Sequence, residues 1–280
     1  ILGTRAEDYD ISGTTYNSST HQYDDLHKFK QYRLFPNASV QYNITRGVNF
    51  SVNYNKKISL PSISLLNPNN STYGNGNIQT TGNANLQPTI YDNISARISA
   101  FDYVFLGYNL NLVDNNLIQK ISRSGDQVSS LNENISSARI HNFNIGFPIP
   151  LMIFTKSIKE IKKTISTVNP DKVSFLYFFA NYQLQRLPNI NPNGLLFLNA
   201  TAQIILPKGI KLNAAYSLIP AKSGYFYLQI DEPMNNSLDI SLSKKFMNNR
   251  LSVSLYVNDV FNTNQMSARS IYQTPNVLMS

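Results

Sequence analysis

The chain has 280 residues, a formal net charge of +8 and no cysteine. Only 14% of its residues are charged, compared with roughly 25% in typical soluble domains, whereas asparagine and serine are frequent. No apolar run reaches the roughly 20 residues that a transmembrane helix needs, and the basic residues are scattered along the chain. Composition therefore excludes a helical membrane span and a disulfide or thiolate metal site, and it argues against nucleic-acid binding.

Segment 37–55 alternates apolar and polar residues on both sides of a short connection that ends in glycine. A period of two is typical of strands with one apolar face, and glycine adopts a positive φ at little steric cost. Pairing Ile44 with Val48 would place Tyr42 opposite Phe50 and all the apolar residues on one face. The segment predicts a hairpin whose apolar face contacts either a protein core or lipid.

The same alternation predicts about eleven strands along the chain. In order, they cover 2–13, 32–44, 48–58, 89–100, 104–112, a stretch ending at 147, 173–185, 196–206, 212–218, 238–242 and 251–257. A polar tract is predicted between the first two strands. Polar loops are predicted at 59–88, 122–132 and 220–233. The first is either an open loop or a folded-back excursion, and the last could contain a strand extension at 225–229.

Short connections alternate with long polar ones. The short ones lie at Thr45, Phe101, Pro207 and Met247, and only the connection 148–171 breaks the rhythm. In an up-and-down meander, alternate connections lie at the same end, so this rhythm matches the short periplasmic turns and long extracellular loops of outer-membrane barrels. The predicted fold is all-β, an antiparallel up-and-down transmembrane β-barrel. The alternative is a soluble β-sandwich or β-solenoid.

Several motifs resemble an outer-membrane β-barrel family of Bacteroidota-type bacteria that is related to TonB-dependent receptors. The matching pieces are LGTRAE (2–7), LFPNASVQY (34–42), VNYNKKISLPSISLLNP (52–68), GNANLQP (82–88) and LSKKFMNNRLSVSLYVNDVFNTN (242–264). They occur in the family's order and cover nearly the whole chain. One departure is Leu60 before Pro61, where the family usually has arginine.

The resemblance implies that 1–280 is the C-terminal part of the barrel domain of a larger barrel of about 22 strands. The implied function is the import of a nutrient, either a siderophore-like chelate or an oligosaccharide. The implied partners are outer-membrane lipid, an N-terminal plug and the remaining strands, a TonB-type energising complex that acts through the plug, and a surface lipoprotein. The alternative functions are a non-transporting outer-membrane barrel for adhesion or assembly and a soluble β-sandwich binding module.

Two sets of candidate residues follow from this interpretation. The predicted loops would turn polar and aromatic side chains towards a ligand: Asn67, Asn69, Asn70, Tyr73, Asn83, Asn85, Tyr225 and Tyr227. The apolar positions of the strands would face lipid: Val40, Tyr42, Val48, Phe50, Val52, Leu106, Leu110, Leu198, Leu212, Leu242 and Val253. Tyrosines towards strand ends would form an aromatic girdle: Tyr32, Tyr54, Tyr103 and Tyr108.

No nucleophile–base set, glycine-rich phosphate loop or paired-carboxylate motif is present, so we expect neither catalysis nor a cofactor. The cluster His21, Asp24, Asp25 and His27 matches no standard metal-ligand spacing, and we expect no metal site there. Within the long exceptional connection, lysines surround four apolar residues at helical spacing, Phe154, Ile158, Ile161 and Ile165. This pattern fits a short basic amphipathic helix at the inner headgroup surface of the outer membrane or, equally, a disordered polar turn.

Overall fold

The structure is a computed structural model that describes residues 1–17, 21–67, 71–73, 78–101, 103–124, 127–154, 173–188, 191–226, 228–248, 250–265, 268–270 and 277–279. The strands within these residues are β1 (Leu2–Asn17), β2 (Gln22–Thr45), β3 (Val48–Ser59), β4 (Ser71–Tyr73), β5 (Ile78–Thr81), β6 (Thr89–Ala100), β7 (Val104–Ser124), β8 (Gln127–Pro150), β9 (Phe175–Arg186), β10 (Asn193–Leu206), β11 (Ile210–Ile219), β12 (Ser223–Tyr225), β13 (Leu228–Ile230), β14 (Met234–Phe246), β15 (Leu251–Val257), β16 (Ala268–Ser270) and β17 (Val277–Met279). The helices are α1 (Ile63–Leu66) and two 3₁₀ turns, Leu151–Phe154 and Pro207–Gly209. None of these helices is long and apolar enough to cross a bilayer.

The main sheet follows the chain. Its strand order is β1-β2-β3-β6-β7-β8-β9-β10-β11-β14-β15, and each strand pairs antiparallel with the next. The predicted antiparallel meander of about eleven strands is therefore confirmed. The eleven strands form one continuous sheet, and this does not support the alternative of a sandwich of two packed sheets.

The hairpin of β2 and β3 has almost the predicted register. Tyr42 pairs with Phe50 as expected, but the predicted pairing of Ile44 with Val48 is wrong because the register shifts and Thr45 pairs with Val48. The extra residue on β2 leaves a tight turn that ends at Gly47, whose φ is +85°. A bulge of this kind lets a short turn close with the right-handed twist of the strands.

Two polar regions predicted as loops are strands. The ribbon of β1 and β2 continues to the pair Asn17–Gln22, and that of β7 and β8 to the pair Ser124–Gln127. At 24 residues each, β2 and β8 far exceed the roughly 9–11 residues that cross a bilayer. Beyond the membrane both faces of a ribbon contact water, so backbone pairing persists there without alternating hydrophobicity.

The sheet has two faces of opposite character. The apolar face contains rows of aliphatic and aromatic side chains that the register aligns across neighbouring strands, such as Val40–Val52–Ala96 and Tyr42–Phe50–Ile98–Leu106. The polar face contains the alternate residues, such as the row Ser39–Asn53–Ser95–Asn109. Many apolar-face side chains are open to the surroundings, with Val40 64% exposed and Leu106 56% exposed.

The buried apolar residues lie mainly on the polar-face side, at the end of the sheet that has the long connections. One cluster joins Val113, Ala138 and Ile140, and the other joins Ile219, Ile230 and Met234. Both clusters pack against the hairpin of β12 and β13, through Phe226 in the first case and Leu228 in the second. The core therefore fixes this hairpin over the polar face.

Candidate functional site: the polar face and its covering hairpin

Hydrogen-bonded amides and hydroxyls line the polar face. Ser39 Oγ donates to Asn53 Oδ1 at 2.7 Å, and Asn53 Nδ2 donates to Ser95 Oγ at 3.3 Å, which links three strands. Similar side-chain bonds join Asn93 to Asn55 and Asn199 to Ser217. Such ladders satisfy the polar groups of a wall that faces water, as expected in the lumen of a barrel.

Two cations of the polar face lie over aromatic rings. The guanidinium of Arg97 is 4.4 Å from the ring centre of Phe105, and the ammonium of Lys57 is 4.9 Å from that of Tyr91. The quadrupole of a ring attracts a cation at this distance. Lys57 and Tyr91 pair across β3 and β6, close to the buried cluster under the hairpin. The wall therefore offers positive charge beside aromatic surface.

The hairpin of β12 and β13 is tied to the wall through its own backbone. The backbone N–H of Phe226 donates to Gln185 Oε1, and Asn193 Nδ2 donates to the carbonyls of Phe226 and Leu228 at 3.4 and 3.2 Å. Gly224 approaches so closely that a Cβ there would lie within 2.0 Å of the Asn193 side chain. A side chain at position 224 would therefore displace the Asn193 amide that holds the hairpin.

Tyr225 lies at the edge of this hairpin. Its ring makes an edge contact with Phe226, with the ring centres 4.6 Å apart. Burial raises the pKa of the Tyr225 hydroxyl because the charged form would be desolvated. The phenol thus stays a neutral hydrogen-bond donor well beyond physiological pH. The Lys57–Tyr91 pair lies nearby, because Tyr91 and Phe226 pack against the same buried cluster of Val113, Ala138 and Ile140.

The long connection between β3 and β6 folds back, which is one of the two predicted alternatives. It contains α1 and the β4–β5 hairpin, and β5 adds to β8 in parallel. Asn83 donates from Nδ2 to the Asn132 carbonyl at 2.9 Å and accepts at Oδ1 from the backbone N–H of Asn85 at 2.9 Å. Asn134 accepts from the backbone N–H of Gln87 at 2.7 Å and donates back to its carbonyl at 3.0 Å. These amides fix the loop to β8.

The predicted ligand-facing residues fall into three groups: exposed residues, residues that fix the loop or lie in the hairpin, and residues that the structure does not describe. Asn67 and Asn85 are exposed in the folded-back loop, whereas the amide of Asn83 is engaged in fixing that loop. Tyr225 lies with the covering hairpin. Of the remaining candidates, Asn69, Asn70 and Tyr227 lie outside the described residues, and the side chain of Tyr73 does as well, although its backbone ends β4. Ligand contact by any of them stays a prediction.

The eleven predicted lipid-facing residues all lie on the apolar face by register. They are Val40, Tyr42, Val48, Phe50, Val52, Leu106, Leu110, Leu198, Leu212, Leu242 and Val253. Their contact with lipid stays a prediction, because strand register places a side chain on a face without showing what touches it.

At the end of the sheet with the long connections, the apolar face ends in tyrosine hydroxyls and charges. The Tyr54 hydroxyl donates to Asp92 Oδ1 at 2.6 Å, and Asp92 also pairs with Lys56 at 3.1 Å. The hydroxyl of Tyr216 donates to Asn236 at 2.6 Å, whereas Tyr108 lies lower, in the register row of Val40 and Val52. Tyrosines with an apolar ring and a solvated hydroxyl are typical of a membrane interface.

The His21 cluster lies in the β1–β2 ribbon and not in the predicted loop. Asp24 and Asp25 pair with Thr15 and Thr14 of β1, although their side chains and that of His27 lie outside the described part of the chain. Among the residues described, no group of three or more possible ligands could hold a metal ion. The segment predicted as an amphipathic helix falls at 155–172, which the structure does not describe, apart from Phe154 in a 3₁₀ turn.

Sequence reasoning missed the residues that position the hairpin. Gln185, which is 1% exposed, and Asn193 are two of many strand amides, and nothing in the sequence separates them from the others. The contact of Gly224 with the Asn193 side chain also joins residues that are far apart in the chain. Only Phe226, in an aromatic-rich loop, gave a signal, because a large apolar residue in a polar loop is typical of one that packs back onto a wall.

Comparisons with known proteins agree with this architecture. The model of the outer membrane protein beta-barrel family matches residues 1–278. The siderophore receptor PirA from Pseudomonas aeruginosa is similar in structure, with a TM-score of 0.57 at 15% identity over 83% of this chain and 40% of that chain. A mutant of the ferric enterobactin receptor PfeA from the same organism has a TM-score of 0.47 at 14% identity over 82% of this chain and 35% of that chain.

The chain thus spans less than half the length of these two receptors. No curated protein sequence matches it. At these identities, the similarity to PirA is a similarity of fold.

Proposed function

Because this chain belongs to the outer membrane β-barrel family and lies in the bacterial outer membrane, we propose that it forms part of the wall of a TonB-dependent nutrient receptor. From the ordered motifs we also propose a source among Bacteroidota-type bacteria. The proposed partners are a plug, further barrel strands, a TonB-type energising complex and a surface lipoprotein. We propose no catalytic activity for the chain itself.

The observation that most supports this proposal is the covering hairpin. A receptor needs an inner wall that water can wet and a structure at the outer end that contacts ligand. Here the polar face supplies the first, through linked amides and hydroxyls. The β12–β13 hairpin, fixed by Gln185 and Asn193, supplies the second, with Tyr225 beside it. A barrel used only for adhesion or assembly would not need this inward-facing arrangement.

The nutrient that we propose is an anionic siderophore-like chelate, with an oligosaccharide as the alternative. Lys57 over Tyr91 joins a positive charge to an aromatic surface next to the hairpin, and its exposed ammonium can donate charge-assisted hydrogen bonds to an anion. An oligosaccharide would instead use the amides and the aromatic rings and would not need the charge. We therefore expect uptake of an anionic chelate to depend on Lys57 and uptake of an oligosaccharide not to depend on it.

The test uses a strain of the source bacterium that lacks the full gene, complemented with the full-length protein. We expect growth on a panel of ferric chelates to be restored, and restoration to require an energised inner membrane. Lys57→Gln should weaken uptake of an anionic chelate about tenfold, which corresponds to the loss of one charge-assisted hydrogen bond. Lys208→Gln, in an exposed turn at the opposite end of the sheet, should leave uptake unchanged.

The outcomes separate the candidates. Restored growth on oligosaccharides alone, with no effect of Lys57→Gln, would select the sugar. If the complemented strain takes up neither class of nutrient, or if uptake continues without an energised inner membrane, the receptor proposal fails.

A further inference from the structure

One row of the apolar face contains charges at the end of the sheet with the long connections. The register aligns Lys56, Asp92, Leu112, Arg139 and Arg186 across five neighbouring strands. We call this row the charged rim. It lies one row beyond Tyr54, Leu110 and His141 and continues the same face of the sheet. In a barrel with short periplasmic turns and long outer loops, this is the level of the outer leaflet's head groups.

The two ends of the charged rim differ in charge balance. At one end, Lys56 Nζ lies 3.1 Å from Asp92 Oδ2, and the Tyr54 hydroxyl donates to the same carboxylate. At the other end, Arg139 and Arg186 lie directly opposite each other on β8 and β9, and both side chains are exposed. Like charges opposite each other on one face of a sheet destabilise it.

Nothing in the described part of the chain neutralises the two arginines. The ion pairs between described residues involve Arg5, Lys30, Lys56 and Lys120, and neither Arg139 nor Arg186. The nearest carboxylate by register, that of Asp114, lies in the next row, opposite Ser137. Two guanidinium groups side by side on the outside of a membrane protein can share one anion.

A third polar group lies in the adjacent row. His141 is two residues from Arg139 on the same face, and its Nδ1 lies 2.9 Å from the Tyr108 hydroxyl. Its Nε2 is buried without a hydrogen-bond partner among the described groups. This corner of the charged rim therefore combines two guanidinium groups with an unpartnered imidazole nitrogen, above the aromatic surface of Tyr108 and Phe143, whose ring centres are 4.9 Å apart.

We propose that Arg139 and Arg186 together bind a phosphate group on the head group of an outer-leaflet lipid. The planar guanidinium matches phosphate oxygens with two parallel hydrogen bonds, and two such groups side by side suit one dianion. The lipid's acyl chains would lie along the apolar face directly below, against Tyr108, Phe143 and Tyr182. This proposal rests on membership of the outer-membrane family and is independent of the nutrient that the receptor imports.

The test uses the full-length protein in maltoside micelles, which contain no phosphate. The probes are lipid A with its phosphates, enzymatically dephosphorylated lipid A and inorganic phosphate, and the readouts are lipid retention in native mass spectrometry and the unfolding temperature. We expect wild-type protein to retain phosphorylated lipid A in preference to the dephosphorylated form. Arg139→Gln with Arg186→Gln should weaken binding of the phosphorylated lipid about tenfold or more and abolish this preference.

The matched control is Arg46→Gln with Arg250→Gln, which removes two arginines from exposed turns at the opposite end of the sheet and should keep the preference. The proposal would be overturned if the Arg139/Arg186 variant still preferred phosphorylated lipid A. It would also be overturned if the wild type showed no such preference. If inorganic phosphate raises the unfolding temperature as much as phosphorylated lipid A does, the arginines bind a soluble anion and the lipid proposal is also overturned.

A stability measurement without anionic lipid distinguishes binding from a structural role. Because the variant removes a repulsion between like charges, it should be as stable as the wild type or more stable in pure maltoside. With phosphorylated lipid A the order should reverse, because only the wild type gains from the ligand. A variant that is already less stable in pure maltoside would show that the arginines support the fold, and the proposal would fail.

Discussion

At the scale of single residues, the two faces of a strand should differ sharply in their tolerance of charge. Val40 and Gln41 are neighbours on β2, on the apolar and the polar face respectively, and both are exposed. We expect Val40→Arg to cost roughly 2–4 kcal/mol in lipid vesicles, because it places a charge in hydrocarbon near mid-bilayer. Gln41→Arg should be tolerated, since it faces water.

Chemical unfolding of the full-length protein in vesicles measures this difference. The two substitutions add the same side chain at adjacent positions, so each is the control for the other. Equal costs at both positions would show that the apolar face does not meet lipid.

Alternation of residue types was enough to assign each position to a face. It was not enough to separate amides that line a wall from amides that fix a loop. Asn53 bridges its two neighbouring strands, Asn83 ties the folded-back loop to β8 and Asn193 ties down the covering hairpin. Their partners are 14 to 49 residues away in the chain, and no local pattern encodes a contact at that distance.

At the scale of elements, the folded-back loop depends on one side chain of β8. Asn134 binds both backbone groups of Gln87 and also donates to the Asn115 carbonyl at 2.8 Å. Asn134→Ala should lower the opening free energy of segment 82–88 by about 1–3 kcal/mol, because backbone groups lose their partner. Hydrogen exchange of that segment measures the change.

Asn132→Ala is the matched control on the same strand. Asn132 contacts the loop through its backbone carbonyl, which alanine keeps, so exchange of segment 82–88 should stay as in the wild type. Equal acceleration in both variants would mean that β8 itself has loosened and that the side chain of Asn134 is not the tether.

The strand ribbons show where prediction of elements from the sequence stops. The sequence predicts the parts of β2 and β8 within the apolar band, because only there does one face differ from the other. Their outer parts pair just as regularly, as in Thr14–Asp25 and Lys120–Leu131. Because polar residues lie on both faces of these outer parts, their sequence does not alternate between apolar and polar residues. A polar segment without alternation is typical of a loop, so the sequence predicts a loop there.

At the scale of the whole molecule, the alternation of connection lengths gives the sheet its direction. The turns at Gly47, Phe101, Lys208 and Met247 lie at one end, and the first two of them touch, since the backbone N–H of Phe101 donates to the Gly47 carbonyl at 2.7 Å. The folded-back loop, the covering hairpin and the charged rim lie at the other end. Both proposed binding sites are therefore at the same end, which the rule for outer-membrane barrels assigns to the cell exterior.

Cysteine labelling in intact cells can test this direction, because the chain has no cysteine of its own. Asn85→Cys lies in the exposed folded-back loop and Lys208→Cys in an exposed turn at the opposite end. A membrane-impermeant maleimide should label Asn85→Cys in intact cells, with the unsubstituted full-length protein as the background. Lys208→Cys should react only after the outer membrane is permeabilised, because its turn faces the periplasm. The reverse pattern would invert the sheet in the membrane and would place the charged rim, and with it the proposed lipid phosphate, at the inner leaflet.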